Sequence, residues 1–164
     1  MRYARHVDDD AALTVPEHSV DVVHCIHLKL VAHLSGIGDL PSSPSGWASA
    51  PNAKHTVEGL TIEPCEHIRD DDISYRCYVS KGQWTSWCQL GAYCGAKGAS
   101  LAIFGLELRL SAAAARRLWL KAIIMVSDGS TGVITGEGGQ YLPSMAFTVN
   151  AMRIGLDLVK PQEL

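Results

Sequence analysis

Residues 73–110 read ISYRCYVSKGQWTSWCQLGAYCGAKGASLAIFGLELRL, and this stretch decides the fold class. Its first segment, YRCYV, is rich in the aromatic and β-branched residues that favour strands. The spaced glycines that follow WTSWCQL are typical of turns. The last segment, GLELRL, alternates leucine with charged residues, as in a strand with one buried face. The stretch therefore predicts three strands, at YRCYV, at WTSWCQL and at SLAIFGLELRL.

The remaining chain extends the same pattern. VDVVHCIHLKLV at 20–31 and MAFTVNAMRIGLDLV near the end have the composition of strands. The alanine-rich stretch SAAAARR favours helix by intrinsic propensity, but the apolar, β-branched LWLKAIIMV follows it. We expect at most a short helical turn near Ala112–Arg116 and then a strand; one helix across 111–126 is the alternative. Residues 35–68 are predicted to form an irregular insertion rich in Gly, Pro and Ser, in which VEGLTIEPCEHI offers a short strand broken at Pro64.

Composition sets the broad class. The chain has 164 residues, of which 47% are hydrophobic, and a formal net charge of -3. Such a chain can bury a sizeable core as a single domain spanning 1–164. The basic residues form no long cluster, so nucleic acid is not an expected partner. No apolar run is long enough for a transmembrane segment, and MRYARHVDDDAALTV has no secretory h-region. The sequence does not decide the localisation: we expect synthesis in the cytosol, and later release or export is an open alternative.

Short motifs recur along the chain. YRCYV at 75 resembles YARHV at 3 and WLKAI at 119. GLELRL at 105 resembles CIHLKL at 25 and AMRIGL at 151; a second register, four residues away, aligns it with GLDL at 155. Repeated units that cannot bury their own apolar faces pack on one another. We therefore predict an all-β fold of three pseudo-repeats that form a β-prism-like structure or a three-sheet barrel. The predicted units are about 3–30, 75–110 and 119–158.

The middle unit resembles the clostridial hydrophobic repeats with a conserved tryptophan, or ChW repeats, over about residues 73–110. The resemblance rests on YRCYV, on the glycine and two tryptophans of GQWTSW, on the spaced glycines and on the alternating strand. Gln83 separates a glycine and a tryptophan that are adjacent in the family, and the flanking units lack the tryptophan box. The resemblance implies a cell-surface recognition protein, and a tryptophan-dependent role only for the middle unit.

Four residues are the candidate ligand-binding positions: Trp84, Trp87, Tyr93 and Asp128. An exposed tryptophan beside polar turns can stack on the apolar face of a sugar ring or anchor a protein contact. Because Trp84 and Trp87 are three residues apart, a regular strand would place them on opposite faces. The competing interpretation is that both tryptophans have purely structural roles.

The sequence offers little support for a metal, a cofactor or catalysis. The histidines and cysteines lack zinc-ligand spacing, and both DDD runs, 8–10 and 70–72, are predicted to be solvated acidic turns. GAYCGAKGAS is not a phosphate loop, since Lys97 is followed by glycine. No nucleophile motif appears. Five cysteines leave at least one thiol free or paired between chains, and a disulfide among Cys65, Cys77, Cys88 and Cys94 stays open.

These observations favour a non-catalytic, lectin-like module that binds a glycan or cell-surface polymer. Homo-oligomerisation would strengthen such shallow binding by multivalency. Two alternatives remain open: a secreted effector or toxin-like protein that docks on a protein or membrane partner, and a small enzyme with a site in residues 35–68.

Overall fold

The computed structural model describes residues 25–52, 54–79, 82–96, 98–144 and 146–158, with the side chain of Cys25 excepted. These residues form short strands, long strands and a single turn of helix. The strands are β1 Cys25–His27, β2 Leu30–Leu34, β3 Gly38–Pro41, β4 Ala48–Ser49, β5 Val57–Ile62, β6 Ile73–Val79, β7 Gln83–Trp84, β8 Cys88–Gln89, β9 Tyr93–Gly95, β10 Ile103–Leu110, β11 Leu118–Val126, β12 Thr131–Gly136, β13 Gly138–Tyr141 and β14 Val149–Leu158; the helix α1 is Ala112–Ala115.

The strands form three antiparallel sheets. Sheet 1 has the order β3-β2-β5-β9, and sheet 2 has the order β7-β6-β10-β13 with β8 also paired to β6. Sheet 3 has the order β12-β11-β14, and both β1 and β4 pair with β14. The predicted all-β, three-sheet class is confirmed. The strands of the described ranges do not close into a barrel, so the barrel form of the prediction is not found.

One pairing pattern occurs in every sheet. Two long strands pair antiparallel, namely β2 with β5, β6 with β10 and β11 with β14. The register of each pair shifts near one end, at His33/Leu34, Ile103/Gly105 and Met125/Val126. The second strand of each pair then takes a further partner from another part of the chain: β9, β13 and β4. Each sheet is thus completed by a strand from outside its own hairpins, which ties the sheets together.

A single apolar core lies between the sheets. Alternate residues of β6 and β11 are buried, and the core cluster draws on all three sheets, for example on Leu60, Leu106 and Leu120. Tyr75 lies fully buried within it. Its hydroxyl accepts a hydrogen bond from the backbone N–H of Ile62 at 3.1 Å and donates one to the carbonyl of Ala92. Tyr75 therefore links the centre of sheet 2 to a strand of sheet 1 and to the loop before β9.

The predicted helical turn is confirmed as α1. The Ser111 hydroxyl oxygen caps it by accepting a hydrogen bond from the Ala114 backbone N–H at 3.1 Å. The alternative of a long helix is wrong, because residues from Leu118 onward alternate between buried and exposed positions and pair along β14. Within the described ranges, no helix has the length and apolar character needed to cross a bilayer.

Two predicted boundaries are wrong. Residues 35–68 are not irregular apart from the expected strand at VEGLTI, which is β5, because β3 and β4 also lie within them and pair with neighbouring strands. WTSWCQL is not one strand; β7 ends at its first residue, Trp84, β8 covers Cys88–Gln89, and the two strands pair separately with β6. In both segments, the strands depend on pairing partners from other parts of the chain, and local composition does not reveal these partners. Most of the predicted first repeat unit, 3–30, lies outside the described residues.

The second acidic run is not a fully solvated turn. Asp72 is buried, with 2% of its surface exposed. Its carboxylate accepts hydrogen bonds from the Arg69 backbone N–H at 2.9 Å and from the Arg117 guanidinium. A buried charge needs such partners, so Asp72 is a structural residue that fixes the turn before β6. The first run, 8–10, lies outside the described residues.

Gly95 provides a test of the packing between sheets. Its φ is +145°, and a Cβ at this position would lie 2.4 Å from the carbonyl oxygen of Glu58 and 2.5 Å from the Cα of Gly59. We expect Gly95→Ala to lower the free energy of unfolding by about 3 kcal/mol, since backbone cannot move aside cheaply. Urea unfolding followed by circular dichroism measures this.

Gly129→Ala is the matched control. Gly129 also has a positive φ, +86°, but an added Cβ would have no atom within 4 Å. We expect Gly129→Ala to lower the free energy of unfolding by roughly 1 kcal/mol, which is the cost of the left-handed backbone alone. Equal losses in the two variants would contradict the close approach at Gly95.

Candidate functional site

The outer face of sheet 2 carries a row of charged and aromatic side chains. Because β6 alternates, Arg76 and Tyr78 point away from the core side that Tyr75 occupies. On β10, Glu107 is the register partner of Arg76. The Nε and Nη2 atoms of Arg76 each lie 2.8 Å from Oε2 of Glu107. This pair holds the guanidinium in a fixed position across the two central strands.

Both candidate tryptophans stack on that guanidinium. The Cζ atom of Arg76 lies 4.8 Å from the ring centroid of Trp84 and 4.6 Å from that of Trp87. Arg109 adds a second guanidinium, with its Cζ 3.9 Å from the Trp87 centroid. We call Trp84, Arg76, Trp87 and Arg109 the arginine–tryptophan ladder. Each contact is a cation–π interaction.

The local backbone explains how two tryptophans three residues apart share one guanidinium. The strand ends at Trp84 and resumes at Cys88, so the period-two rule does not apply between them. The expectation that they face opposite sides is therefore wrong. Tyr78 also packs its ring edge-on against Trp84, with a centroid distance of 5.2 Å. The ladder is thus fixed from β6, from β7 and from β10.

The ladder remains accessible, and one of its two guanidinium groups has no ion-pair partner among the described residues. Trp84 and Trp87 are partly exposed and Arg109 is exposed. Glu107 offsets Arg76, whereas no carboxylate of the described residues forms an ion pair with Arg109. An open face that presents indole rings, a guanidinium and polar neighbours such as Gln83 and Gln89 has the groups that commonly contact sugars or protein surfaces.

The other two candidate residues lie on different sheets. Tyr93 is in β9 of sheet 1, and Asp128 is in the turn between β11 and β12 of sheet 3. The exposed Asp128 carboxylate accepts hydrogen bonds from the N–H of Ser130 at 2.9 Å and from its hydroxyl at 2.6 Å. These bonds lower the pKa of Asp128 and make it a turn-forming residue. The structure therefore joins Trp84 to Trp87 and leaves Tyr93 and Asp128 apart from them.

Tyr93 belongs to a second polar cluster on sheet 1. Its ring packs edge-on against His33, with a centroid distance of 6.0 Å. The Nδ1 of His33 lies 2.7 Å from a carboxylate oxygen of Asp39, and Nε2 lies 3.7 Å from one of the buried Glu58. An imidazole and carboxylates placed together are the groups that general acid–base chemistry uses. Asp39 and Glu58 lie within residues 35–68.

Two cavities lie away from both clusters. One of about 300 Å³ is lined partly by Leu28, Pro41 and Gly46, and one of about 240 Å³ partly by Pro64 and Glu66. They share a wall formed by four residues: His27, Leu28, Lys29 and Glu63. Neither is lined by His33, Trp84 or Trp87, so neither cavity includes the ladder or the His33 cluster.

No group of three or more His, Cys, Asp or Glu side chains in the described ranges is arranged to hold a metal ion. Comparison with family models, curated proteins and solved structures finds no match. The resemblance of residues 73–110 to ChW repeats therefore stays an expectation from the sequence.

Sequence reasoning missed the arginines of the ladder. In the sequence, Arg76, Glu107 and Arg109 alternate with apolar residues, so each is expected to be an ordinary solvent-facing residue of a strand. The signal that could have found them is cross-strand pairing: once β6 and β10 are aligned, both arginines lie on the face that also bears the β7 turn.

Removing the central guanidinium tests the ladder. Arg76→Met keeps the apolar stem and should lower the free energy of unfolding by about 2 kcal/mol, because two cation–π contacts and a partly buried ion pair are lost. Arg69→Met is the control: Arg69 is 78% exposed and its guanidinium pairs only with the exposed Asp71 among the described residues. Its loss should stay below about 0.5 kcal/mol. Equal urea midpoints for both variants would contradict the ladder's contribution.

Proposed function

We propose that the protein is a non-catalytic recognition module that binds a glycan or cell-surface polymer through the outer face of sheet 2. The observation that carries the proposal is the arginine–tryptophan ladder. Two partly exposed indoles are held in place by stacked guanidinium groups on a rigid sheet.

Preorganisation is the physical reason for favouring binding. An aromatic ring that is already immobilised loses little conformational entropy when a ligand packs on it. Trp84 is restrained by Arg76 and Tyr78, and Trp87 by two arginines. The remaining exposed parts of both indoles can contact the apolar C–H face of a pyranose, while Gln83 and Gln89 offer hydrogen bonds to its hydroxyls.

Charge narrows the ligand class. Arg109 presents a guanidinium that no described carboxylate offsets, and guanidinium binds carboxylate, sulfate and phosphate in two-point geometry. An acidic sugar polymer would satisfy both the indoles and this cation. The surface is open, so each contact would be shallow and several copies would act together.

We also propose that the chain is built from three repeats. Support comes from the recurring strand pairs and from the register shift at the same end of each pair. These shifts align Gly59, Gly105 and Ala151, which favours the register of AMRIGL over that of GLDL. The first unit would then span about 30–62 and not 3–30. The two indoles stacked on one guanidinium lie in the middle unit, whereas sheet 3 has a single guanidinium–indole contact among the described residues, between Arg153 and Trp47, at 5.1 Å from Cζ to the ring centroid.

A small enzyme is the second candidate, favoured by one observation. His33, Asp39 and Glu58 form a polar cluster at the segment where such a site was expected. Turnover of any substrate that disappears in His33→Gln, with the fold retained, would favour this candidate over a binding module.

A glycan array with neutral and acidic sugars tests the binding proposal. We expect binding to uronate-, sulfate- or phosphate-bearing glycans. Trp87→Ala should weaken it about tenfold or more, since an aromatic anchor that the ligand covers contributes over about 1.4 kcal/mol. Arg109→Gln should weaken binding to acidic glycans selectively.

Trp119→Ala is the matched control, because Trp119 is a tryptophan 47% exposed on sheet 3. Its array profile should equal that of the unaltered protein. Absence of sugar binding, or equal losses in Trp119→Ala and Trp87→Ala, would contradict the proposal. Capture of one protein partner without any response to sugars would favour the effector alternative.

A further inference from the structure

Three cysteines lie together beneath the ladder, on the core side of sheets 1 and 2. Cys77 is in the middle of β6, Cys88 is in β8 and Cys94 is in β9. We call them the thiol cluster. All three are free thiols, as is Cys65, which lies outside the cluster. Neither the ladder nor the proposed binding function uses them.

Cys94 is at the centre of the cluster. Its sulfur lies 3.2 Å from the hydroxyl oxygen of Thr85 and 3.9 Å from the carbonyl oxygen of Tyr75, and the Cys77 sulfur lies 3.7 Å from the carbonyl oxygen of Cys94. The Cys88 sulfur lies 3.5 Å from the carbonyl oxygen of Tyr93, the residue before Cys94. The sulfurs of Cys77 and Cys88, on two different strands, therefore each approach a backbone carbonyl at or next to Cys94.

The three thiols differ in ionisation and access. Hydrogen bonds from Cys77, Thr85 and Cys88 lower the pKa of Cys94 to about 7, whereas burial raises the pKa of Cys77 and Cys88. Cys77 and Cys94 are both buried, and Cys88 is partly exposed in a two-residue strand. A thiolate is the nucleophilic form, so Cys94 is the reactive group and Cys88 the accessible neighbour.

We propose that Cys94 and Cys88 form a peroxide-responsive thiol pair, in which Cys94 is the site of oxidation and Cys88 closes a disulfide. The Cys94 thiolate attacks one oxygen of hydrogen peroxide; the O–O bond breaks, a sulfenic acid forms and hydroxide leaves to become water. The Cys88 sulfur then attacks the sulfenic sulfur. An S–S bond forms, the S–O bond breaks, and hydroxide leaves with the thiol proton as water. Peroxide is reduced and the two thiols are oxidised.

Cys88 is the partner because it can move. Cys77 is held in β6, where its residue pairs with Leu106 of β10 and its N–H donates to Thr85 Oγ1 at 3.1 Å. Cys88 lies in a segment of two- and three-residue strands, β7 to β9. Short strands open locally at small cost, which also admits a small oxidant to the buried Cys94.

Differential alkylation with peptide mapping tests the pair. The full-length protein is treated with hydrogen peroxide, its remaining thiols are alkylated under denaturing conditions, and the peptides are identified by mass spectrometry. We expect the Cys88 and Cys94 thiols to be lost together and a Cys88–Cys94 disulfide to appear. An unchanged set of alkylated cysteines, or a bridge between Cys77 and Cys94, would overturn the assignment.

Three variants separate the roles. Cys88→Ser should leave a sulfenic acid at Cys94 that dimedone traps, and Cys94→Ser should abolish both the bridge and the dimedone adduct. Cys65→Ser is the control and should form the bridge at the unaltered rate. Loss of the bridge in Cys65→Ser, or oxidation of Cys88 in Cys94→Ser at the original rate, would refute the proposal. Mapping of the unaltered protein needs no variant to fold.

The pH dependence of the rate provides an independent readout. The titratable groups around Cys94 are Cys77 and Tyr75 on β6, Cys88 on β8, and Tyr93, which precedes Cys94 on β9. Burial raises the pKa of each of these four groups. The thiolate fraction of Cys94 then rises about tenfold between about pH 6 and about pH 8 and levels off. An oxidation rate that keeps rising to about pH 9, as for an ordinary thiol, would contradict the assignment of Cys94.

Discussion

The antiparallel pairing of two long strands in each sheet is the constraint on which the rest of the structure depends. β6 and β10 illustrate it: their register opposes Arg76 to Glu107 on one face and Tyr75 to Leu108 on the other. A shift of one residue would exchange these faces, burying the ion pair and exposing the tyrosine. The backbone hydrogen bonds between paired strands therefore fix both the core packing and the outer surface.

Strand exchange between sheets makes the three pairs interdependent. β9 follows sheet 2 strands in the chain but pairs with β5 of sheet 1, and Tyr75 of sheet 2 hydrogen-bonds to the backbone of Ile62 at the end of β5. Gly95 permits the approach, since a side chain there would overlap the backbone of β5. Interactions of this kind couple a local change in one sheet to its neighbour.

Period-two alternation was enough to predict the all-β class, and the β-branched run at Leu118–Val126 correctly outweighed the alanines before it. Composition did not predict strands whose formation depends on pairing partners elsewhere in the chain. The Gly/Pro/Ser-rich segment forms β3 and β4 because β2 and β14 supply edges for them. Trp84 and Trp87 were recognised as candidates, but the arginines that hold them lie far away in sequence, and only the register of β6 and β10 brings these residues together.

The ladder and the thiol cluster occupy opposite faces of one strand. On β6, Arg76 faces outward beneath the two indoles, and Cys77 faces inward beside Cys94. The segment from Trp84 to Cys88 joins the two faces, because Trp87 is bonded to Cys88 and Thr85 contacts the sulfur of Cys94. A bridge that draws Cys88 toward Cys94 must move the backbone of Trp87, whose ring is stacked between β6 and β10 arginines. The chemical state of the thiols and the shape of the outer surface are thereby linked through five residues of chain.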